Sequence, residues 1–191
     1  MYHIKNDQRA IRSSKMLYEA LAKLMRVQPY NTITVTHLVE AAQLGRTTFY
    51  RNFDEIEDIL RMRCDQVFDE LMAYFIAYRQ EGGILEPGRL LKPMLRYFYL
   101  HSDIIDLLLR AKRMDILQDA FRERSQGLQA LAAQQLQVPD EYIAYSTEMR
   151  INLMIAILAH WVKTGKKQAP DELADNLKKM VNNMITIDQL L

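Results

Sequence analysis

The sequence predicts an all-α protein. Apolar residues recur at spacings of three and four along nearly the whole chain, which is the pattern of helices with one buried face. Only 6 Gly and 5 Pro occur among 191 residues, and most of them fall between the helical stretches. No stretch shows convincingly the alternation that is typical of a strand. With 49% hydrophobic residues, a chain of this length can bury a core without disulfides or structural metals.

The composition excludes several classes of protein. The net charge of +1 argues against a disordered chain and against polyanion binding by the chain as a whole. A single cysteine, Cys64, excludes an intramolecular disulfide and a cysteine-based zinc cluster, and it indicates a reducing compartment. The polar N-terminus has no apolar signal segment, and the longest apolar-rich run, 151–162, is shorter than the roughly 20 residues that span a bilayer. We therefore expect a cytoplasmic protein without membrane association.

The first quarter of the chain predicts three helices. The first covers 7–27 and has apolar residues at helical spacing on one face. A short helix over 37–42 follows, with Thr36 as its expected N-cap. A tight turn at 43–45 then leads to a second short helix over 46–52.

The rest of the chain predicts a series of longer helices. Asp54 and Glu55 open the first of them, because acidic side chains favour the positive end of the helix dipole. This helix has roughly 25 residues and a length of about 37 Å, so it is long enough to join two structural units. Gly82 and Gly83 end it, and Pro93 is expected in a first turn or at a kink. Further helices are predicted at 89–101, 103–110, 112–136, 139–164 and 171–188, with a break in the third of these at Gly127 left open.

Charge is distributed unevenly along the chain. Residues 1–53 carry eight basic and three acidic side chains, a net charge of +5, whereas the remainder has a net charge of −4. Such asymmetry is typical of a module that faces a polyanion. An ordinary solvated helix surface explains the charge equally well, so charge alone does not decide between the two.

The stretch 33–53, ITVTHLVEAAQLGRTTFYRNF, has the pattern of a helix-turn-helix. Leu44, Phe49 and Phe53 fall on one side of the second helix, and polar residues fall mostly on the other. In this motif the second helix enters the major groove with its N-terminal residues against base edges. Arg can donate twice to guanine, Thr can contact a thymine methyl group, and Tyr or Asn can donate to phosphate. The pattern predicts a DNA-binding helix with Phe49 and Phe53 in the core.

This stretch resembles the N-terminal DNA-binding domain of the TetR/AcrR family of transcriptional regulators. The resemblance rests mainly on the T-x-F-Y-x-x-F core at 47–53 and covers roughly the first third of the chain. Other matching residues are Thr34, Val35, Ala42, Leu44, Arg46 and the run Glu57-Asp58-Ile59-Leu60. It implies a three-helix DNA-binding domain over 1–54 and an all-helical ligand-binding and dimerisation domain over 55–191.

The resemblance also implies a function. Regulators of this family bind double-stranded DNA as homodimers, so we expect a palindromic operator, repression, and release by a small-molecule effector. No cofactor is implied. Transferred residue by residue, the candidate DNA contacts are Thr36, His37, Arg46, Thr47, Thr48, Tyr50, Arg51 and Asn52. His37 has a second interpretation as a residue that caps or packs its own helix.

Two features depart from the family pattern. Gln43 stands where the family usually has a turn glycine, and Gly45 stands where it often has a serine N-cap. The family also tends to place a lysine at the start of the long helix, where this sequence has Asp54-Glu55-Ile56. Basic residues of the N-terminal arm and first helix are candidates to replace that charge, or are simply solvated: Lys5, Arg9 and Arg12.

Two sets of residues in the second domain follow from the helices that serve these roles in the family. The ligand-pocket candidates are Tyr74, Tyr78, Met94, Tyr97, Phe98, His101, Met114 and Met149, each of which also fits an ordinary core position. The helix over 139–164 is apolar almost all round, which indicates burial on two sides. The dimer-interface candidates are Met154, Ile157, Leu158, Trp161, Leu177, Met180, Val181 and Met184, against the alternative of an intramolecular core.

Enzymatic function has little support in the sequence. Cys64 lies on the apolar stripe of a helix without a motif that supplies a base. The spacing of His37 and Glu40 suits a metal, but a paired site in a helical bundle needs a second such unit, and the sequence has none. We therefore expect no catalytic residue and no metal site. The alternative to a DNA-binding regulator is a helical adaptor that uses its basic N-terminal module on an acidic protein or membrane surface.

Overall fold

The structure is a computed structural model, and it describes residues 1–4, 7–80, 90–124 and 140–184, with only the backbone of 79, 140–141 and 181–184. The described chain is helical apart from an isolated bridge between Tyr2 and Phe53. Its helices are α1 (Gln8–Leu24), α2 (Val35–Ala41), α3 (Arg46–Asn52), α4 (Glu57–Gln80), α5 (Leu91–Leu100), α6 (Asp103–Ala111), α7 (114–124), α8 (Asp140–Lys163) and α9 (Pro170–Met184). A 3₁₀ turn, Tyr30–Thr32, joins α1 to α2. The predicted all-α class is confirmed.

Helix starts are where the prediction and the structure differ most. Thr34, and not Thr36, is the N-cap of α2, and its hydroxyl accepts from the backbone N–H of His37 at 3.2 Å. The long helix α4 begins at Glu57, three residues later than expected. Asp58 explains this, because its carboxylate accepts from the backbone N–H groups of Asp54 and Glu55 and holds them in a turn ahead of the helix.

The helix predicted over 112–136 also begins later than expected. Lys112 has a left-handed backbone with φ of 58° and ends α6, and α7 begins only at residue 114. The break considered at Gly127 lies outside the described residues. Pro93 occupies the first turn of α5, as predicted, where no intrahelical N–H is needed.

Helices α1 to α3 form a small N-terminal unit, which we call the head. Helix α1 packs against both α2 and α3. Leu17, Leu21 and Leu38 are fully buried at this junction, together with Phe49 and Phe53. The predicted core positions of the two phenylalanines are therefore confirmed, and their burial directs the other side of α3 outward.

Helices α4 to α9 form the second unit, which we call the body. Helix α4 packs against α1 of the head and against α5 and α6 of the body, so it belongs to both units. Helix α5 also packs on α9, and α6 on α8. Buried residues of head and body form one continuous apolar cluster. A movement of α4 would therefore displace residues packed against it in both units. Among the helices described here, none is both long and apolar enough to span a membrane.

Candidate nucleic-acid interface

Helix α3 has one buried and one exposed face. Phe49 has no exposed surface, whereas the neighbouring Tyr50 is 56% exposed and its ring meets that of Phe49 edge-on at 5.2 Å between centroids. Arg46, Thr47 and Arg51 are also exposed, and Thr48 is half-buried. Successive residues of a helix are about 100° apart, so these side chains form a continuous polar surface around the outer side of α3. The structure thus brings together five of the eight predicted contacts.

The turn between α2 and α3 is built without the glycine that the resemblance led us to expect. Gln43 adopts a left-handed backbone with φ of 55°. The following N–H, that of Leu44, donates to the carbonyl oxygen of Val39 at 2.8 Å and closes the end of α2. A residue with a Cβ is disfavoured in this conformation by about 1–2 kcal/mol. The turn geometry is kept, at a cost in stability.

The start of α3 lacks a side-chain cap but is tied to α2. Gly45 has an extended backbone, and no side chain bonds to the first N–H groups of the helix. The guanidinium of Arg46 instead donates to the hydroxyl of Thr36. Thr36 is half-buried beneath it. This bond fixes the direction of the Arg46 side chain at the end of α3 that meets base edges in a helix-turn-helix.

His37 is part of a capping box at the start of α2. Its Nδ1 accepts from the backbone N–H of Thr34 at 3.4 Å, while its own N–H donates to the Thr34 hydroxyl. An accepting Nδ1 requires the neutral tautomer with the proton on Nε2. The ring is exposed, so Nε2–H can still donate outward. The two interpretations of His37 are compatible.

Asn52 departs from the expectation. Its side chain is 2% exposed, and Nδ2 donates to the hydroxyl of Ser13 at 3.2 Å and to the carbonyl oxygen of Thr48 at 3.0 Å. The prediction that Asn52 lies on the exposed face is therefore wrong, because its position on α3 directs it toward α1. The sequence does not indicate this pairing, since two adjacent serines, Ser13 and Ser14, are both buried on α1 and nothing in the pattern selects Ser13 as the partner.

The junction of α3 and α4 carries negative charge. Asp54 and Glu55 are exposed there, and the capping carboxylate of Asp58 is buried behind them. The amino group of Met1 lies 2.9 Å from Asp54 and 3.0 Å from Asp58 and offsets part of this charge, at the place where the family tends to have lysine. Arg9 and Arg12 are exposed on α1, as a replacement for that lysine requires, and Lys5 lies outside the described residues.

Comparison with known proteins identifies the family. The TetR-type family model described as the transcriptional regulator C-terminal region matches residues 86–183, just over half of the chain. This chain belongs to the TetR family of transcriptional regulators. The match covers the body from α5 onward, whereas the sequence resemblance concerned the head and the start of α4, so the two lines of evidence rest on different residues.

Solved structures with the same fold cover nearly the whole chain. Lin0861 from Listeria innocua is 16% identical, with a TM-score of 0.76 over 95% of this chain and 96% of that one. The fatty acid degradation regulator FadR from Bacillus halodurans is 12% identical, with a TM-score of 0.57 over 94% and 95% of the two chains. At these identities the likeness shows the fold alone. No curated protein sequence matches this chain.

In this TetR-family body, four of the predicted pocket residues lie together, and we call them the aromatic cluster: Tyr74, Tyr78, Tyr97 and His101. Tyr97 stacks on His101 with 4.6 Å between ring centroids and meets Tyr74 at 5.8 Å. Tyr78 stacks on Tyr74 at 6.4 Å. Tyr97 is buried, whereas His101 is exposed, so the cluster reaches the surface. It joins α4 to α5.

Of the other four pocket candidates, Phe98 meets Tyr97 edge-on at 5.2 Å from the core side, and the remaining three are not among the ring contacts of the cluster. Met94 and Phe98 are buried in the core, and Met114 is half-buried on α7. Met149 is 73% exposed. A side chain so exposed cannot line an enclosed cavity within one chain, so its assignment to such a pocket is wrong.

Two of the predicted dimer residues belong to the core of their own chain. Leu158 and Trp161 are 0% and 2% exposed, and the indole N–H of Trp161 donates to the carbonyl oxygen of Gln168 at 3.1 Å. These two assignments to an intersubunit surface are therefore wrong. Of the remaining candidates, Met154, Ile157 and Leu177 are half-buried, Met180 is 45% exposed, and the side chains of Val181 and Met184 lie outside the described residues.

An exposed apolar stripe on α8 was missed in the sequence analysis. It consists of Tyr142, Tyr145, Met149 and Leu153, which are 58%, 70%, 73% and 49% exposed. Their spacing of three and four places them on one side of the helix. The signal was present in the almost uniformly apolar character of α8, but periodicity alone could not tell which side faced the core.

Proposed function

We propose that this TetR-family protein binds a palindromic operator as a homodimer, represses transcription, and is released by a small-molecule effector. The observation that carries the proposal is the exposed polar face of α3 beside the buried Phe49 and Phe53. A recognition helix needs this arrangement, because its core side fixes its position while its outer side enters the major groove.

In the proposed complex, the residues of α3 divide by position. Arg46, Thr47 and Thr48 lie at the N-terminal end of the helix, where helix-turn-helix proteins contact base edges. Tyr50 and Arg51 lie farther along the exposed side and are assigned to phosphate and base contacts at the groove wall. Thr36 orients Arg46 through its hydrogen bond. His37 is assigned to a phosphate through Nε2.

We assign the dimer contact to the exposed stripe of α8 together with Met180 on α9. A contiguous apolar surface of this kind is uncommon on a monomer, and a twofold axis lets the same stripe meet itself. Dimerisation is also a geometric requirement of the operator proposal. Two heads must reach successive major grooves about 34 Å apart.

We assign the effector contact to the aromatic cluster of α4 and α5. Apolar and aromatic walls with a few polar groups are typical of small-molecule sites. The cluster contains one buried hydroxyl, that of Tyr97, and an exposed edge at His101. A ligand inserted here would push on α4, which is shared by head and body.

The operator proposal is tested by selection and substitution. Duplexes that the full-length protein retains from a random pool should converge on an inverted repeat, and their affinity should exceed that of bulk DNA by roughly 10³-fold or more. Tyr50→Ala and Arg51→Ala should weaken binding. Arg26→Ala is the matched control, because it removes the same charge from an exposed position at the end of the head, away from α3.

Salt dependence separates the remaining outcomes. For duplex binding, the logarithm of affinity falls linearly with the logarithm of salt concentration, and Arg51→Ala reduces the slope by about one phosphate contact. A chain that shows no sequence preference, with Arg26→Ala and Arg51→Ala equally weakened, would support the adaptor and contradict the proposal.

A further inference from the structure

A series of polar contacts connects the aromatic cluster to the head. The hydroxyl of Tyr97 donates to Oε2 of Glu70 at 2.9 Å. The other oxygen of that carboxylate, Oε1, accepts from Nη1 of Arg63 at 2.8 Å. The Arg63 guanidinium lies over the ring of Tyr18 at 5.7 Å, and the Tyr18 hydroxyl donates to Asp103 at 2.7 Å. These five residues come from α5, α4, α1 and α6, and two of the contacts cross between head and body.

Arg63 and Glu70, in the middle of this series, are oppositely charged and lie where head and body meet. Arg63 and Glu70 are two turns apart on α4, the helix shared by head and body. Each oxygen of Glu70 accepts a hydrogen bond from one neighbour. If the Tyr97 hydroxyl no longer donates to Glu70, both oxygens of the carboxylate are available to Arg63. The Arg63 side chain is 17% exposed, whereas that of Glu70 is 46% exposed, so the pair has one end in the protein and the other toward solvent.

The same residues have freedom to rearrange. The Tyr97 hydroxyl lies 3.4 Å from the carbonyl oxygen of Val67, a second acceptor to which it can turn. Nε of Arg63 is buried and has no hydrogen-bond partner among the described residues. A cavity of about 440 Å³ lies between α1 and α4 and is lined by Tyr18, Arg63 and Glu70. The guanidinium therefore has open space beside it, and it can turn without losing a hydrogen bond at Nε.

We propose that the Arg63–Glu70 pair couples the aromatic cluster to the placement of α1, so that a change in the hydrogen bond of Tyr97 alters the position of the head. The inference rests on the proposed function for its biological role. When the Tyr97 hydroxyl turns away from Glu70, the carboxylate is held by Arg63 alone and draws the guanidinium toward itself and off the Tyr18 ring. Tyr18 then keeps its bond to Asp103 but loses the guanidinium, which weakens one contact between α1 and α4.

A double-mutant cycle on operator affinity tests the coupling. Tyr97→Phe removes the hydroxyl that bonds to Glu70, and Tyr18→Leu removes the ring over which Arg63 lies. The double variant is compared with both single variants, using a duplex selected from the random pool. Network positions of this kind modulate coupling by roughly 2- to 30-fold, so we expect the double variant to deviate from the product of the two single effects by at least about threefold. Independent, multiplicative effects would overturn the proposal. Tyr99→Phe, two residues along α5 on its exposed side, is the matched control.

Amide hydrogen exchange gives a second readout that needs no DNA. Tyr97→Phe and Glu70→Gln should accelerate exchange across α1, which neither residue touches, and Tyr99→Phe should not. Acceleration confined to α4 and α5 would overturn the coupling. If the wild-type protein shows no sequence-specific DNA binding, the proposed function fails, but the exchange result still decides whether the two units are coupled through this pair.

Discussion

The side-chain amide of Asn52 donates to the hydroxyl of Ser13 at 3.2 Å, which joins the last residue of α3 to α1 inside the head. Both residues are buried, and the same amide also bonds to the carbonyl oxygen of Thr48 one turn earlier. Three hydrogen-bonding groups in an apolar core thereby satisfy one another. Asn52 fixes the angle between α3 and α1, and this angle sets the direction of the exposed face of α3.

We expect Asn52→Ala to lower the free energy of unfolding by about 1 kcal/mol, because one buried hydrogen bond is lost while the Ser13 hydroxyl keeps its bond to the carbonyl oxygen of Ala10. Urea unfolding measures the change. Arg51→Ala, the preceding residue, should change stability by less than about 0.5 kcal/mol, since it is exposed. In a DNA-binding assay, Arg51→Ala should reduce the dependence of affinity on salt concentration. Asn52→Ala should instead reduce the fraction of folded protein. Equal stabilities would contradict this assignment.

Gln43→Gly should stabilise the protein. Gln43 has φ of 55°, and glycine takes this conformation without a Cβ clash, which we expect to raise the free energy of unfolding by about 1 kcal/mol. The matched control is Glu40→Gly, an exposed position inside α2, where glycine should cost about 1 kcal/mol. Thermal unfolding of both variants measures the difference. A loss of stability in Gln43→Gly would show that the turn does not hold this backbone conformation.

Stability should decrease at alkaline pH. Burial and a neighbouring carboxylate raise the pKa values of Tyr18 and Tyr97 above their ordinary value of 10, and burial raises the pKa of the Cys64 thiol to about 12 from 9. An acid whose folded pKa is raised keeps its proton longer in the folded than in the unfolded state. The stability from these groups is therefore complete below about pH 9 and is lost as the pH rises toward about 12.

The measurement is the free energy of unfolding in urea at several pH values across that window. Tyr18→Phe should make the alkaline decrease shallower than in the wild type, because phenylalanine has no proton to lose. A decrease of the same slope in both proteins would show that Tyr18 titrates alike in the folded and unfolded states.

Helical periodicity predicts the parts of this fold in which one face is clearly apolar. Phe49 and Phe53 were assigned to the core from their spacing alone, and the structure confirms both. Cap residues are harder, because Thr34 and Thr36 are both suitable N-cap residues, and only the structure shows that Thr34 precedes α2 whereas Thr36 lies within it. Asn52 was misplaced for a third reason. A polar side chain at the end of a short helix faces solvent or a partner according to the packing angle of that helix, which local sequence does not contain.

The body shows the same limit in another form. A helix that is apolar on all sides, such as α8, gives no single stripe from which to choose the core side. Leu158 and Trp161 were assigned to a partner subunit and are buried in their own chain, whereas Tyr145 and Met149 are the exposed residues. Long-range packing against α6 selects between the faces. The members of the aromatic cluster were chosen from the helices that line the pocket in the family, and that choice could not separate them from the four candidates that lie outside the cluster.

The exposed stripe of α8 leads to the last prediction. Tyr145→Glu and Met149→Glu each place a carboxylate in the centre of the proposed interface, and the twofold axis brings it close to its copy in the partner subunit. Like charges that are desolvated together are strongly unfavourable, so we expect either variant to be monomeric by sedimentation velocity at micromolar concentration. Leu100→Glu is the matched control, because Leu100 is an equally exposed apolar residue on α5, 76% exposed, outside the stripe.

Affinity for an inverted repeat should fall in the two α8 variants while affinity for a single half-site is unchanged, since each head is intact. A dimer that persists in Tyr145→Glu and Met149→Glu would place the subunit contact elsewhere.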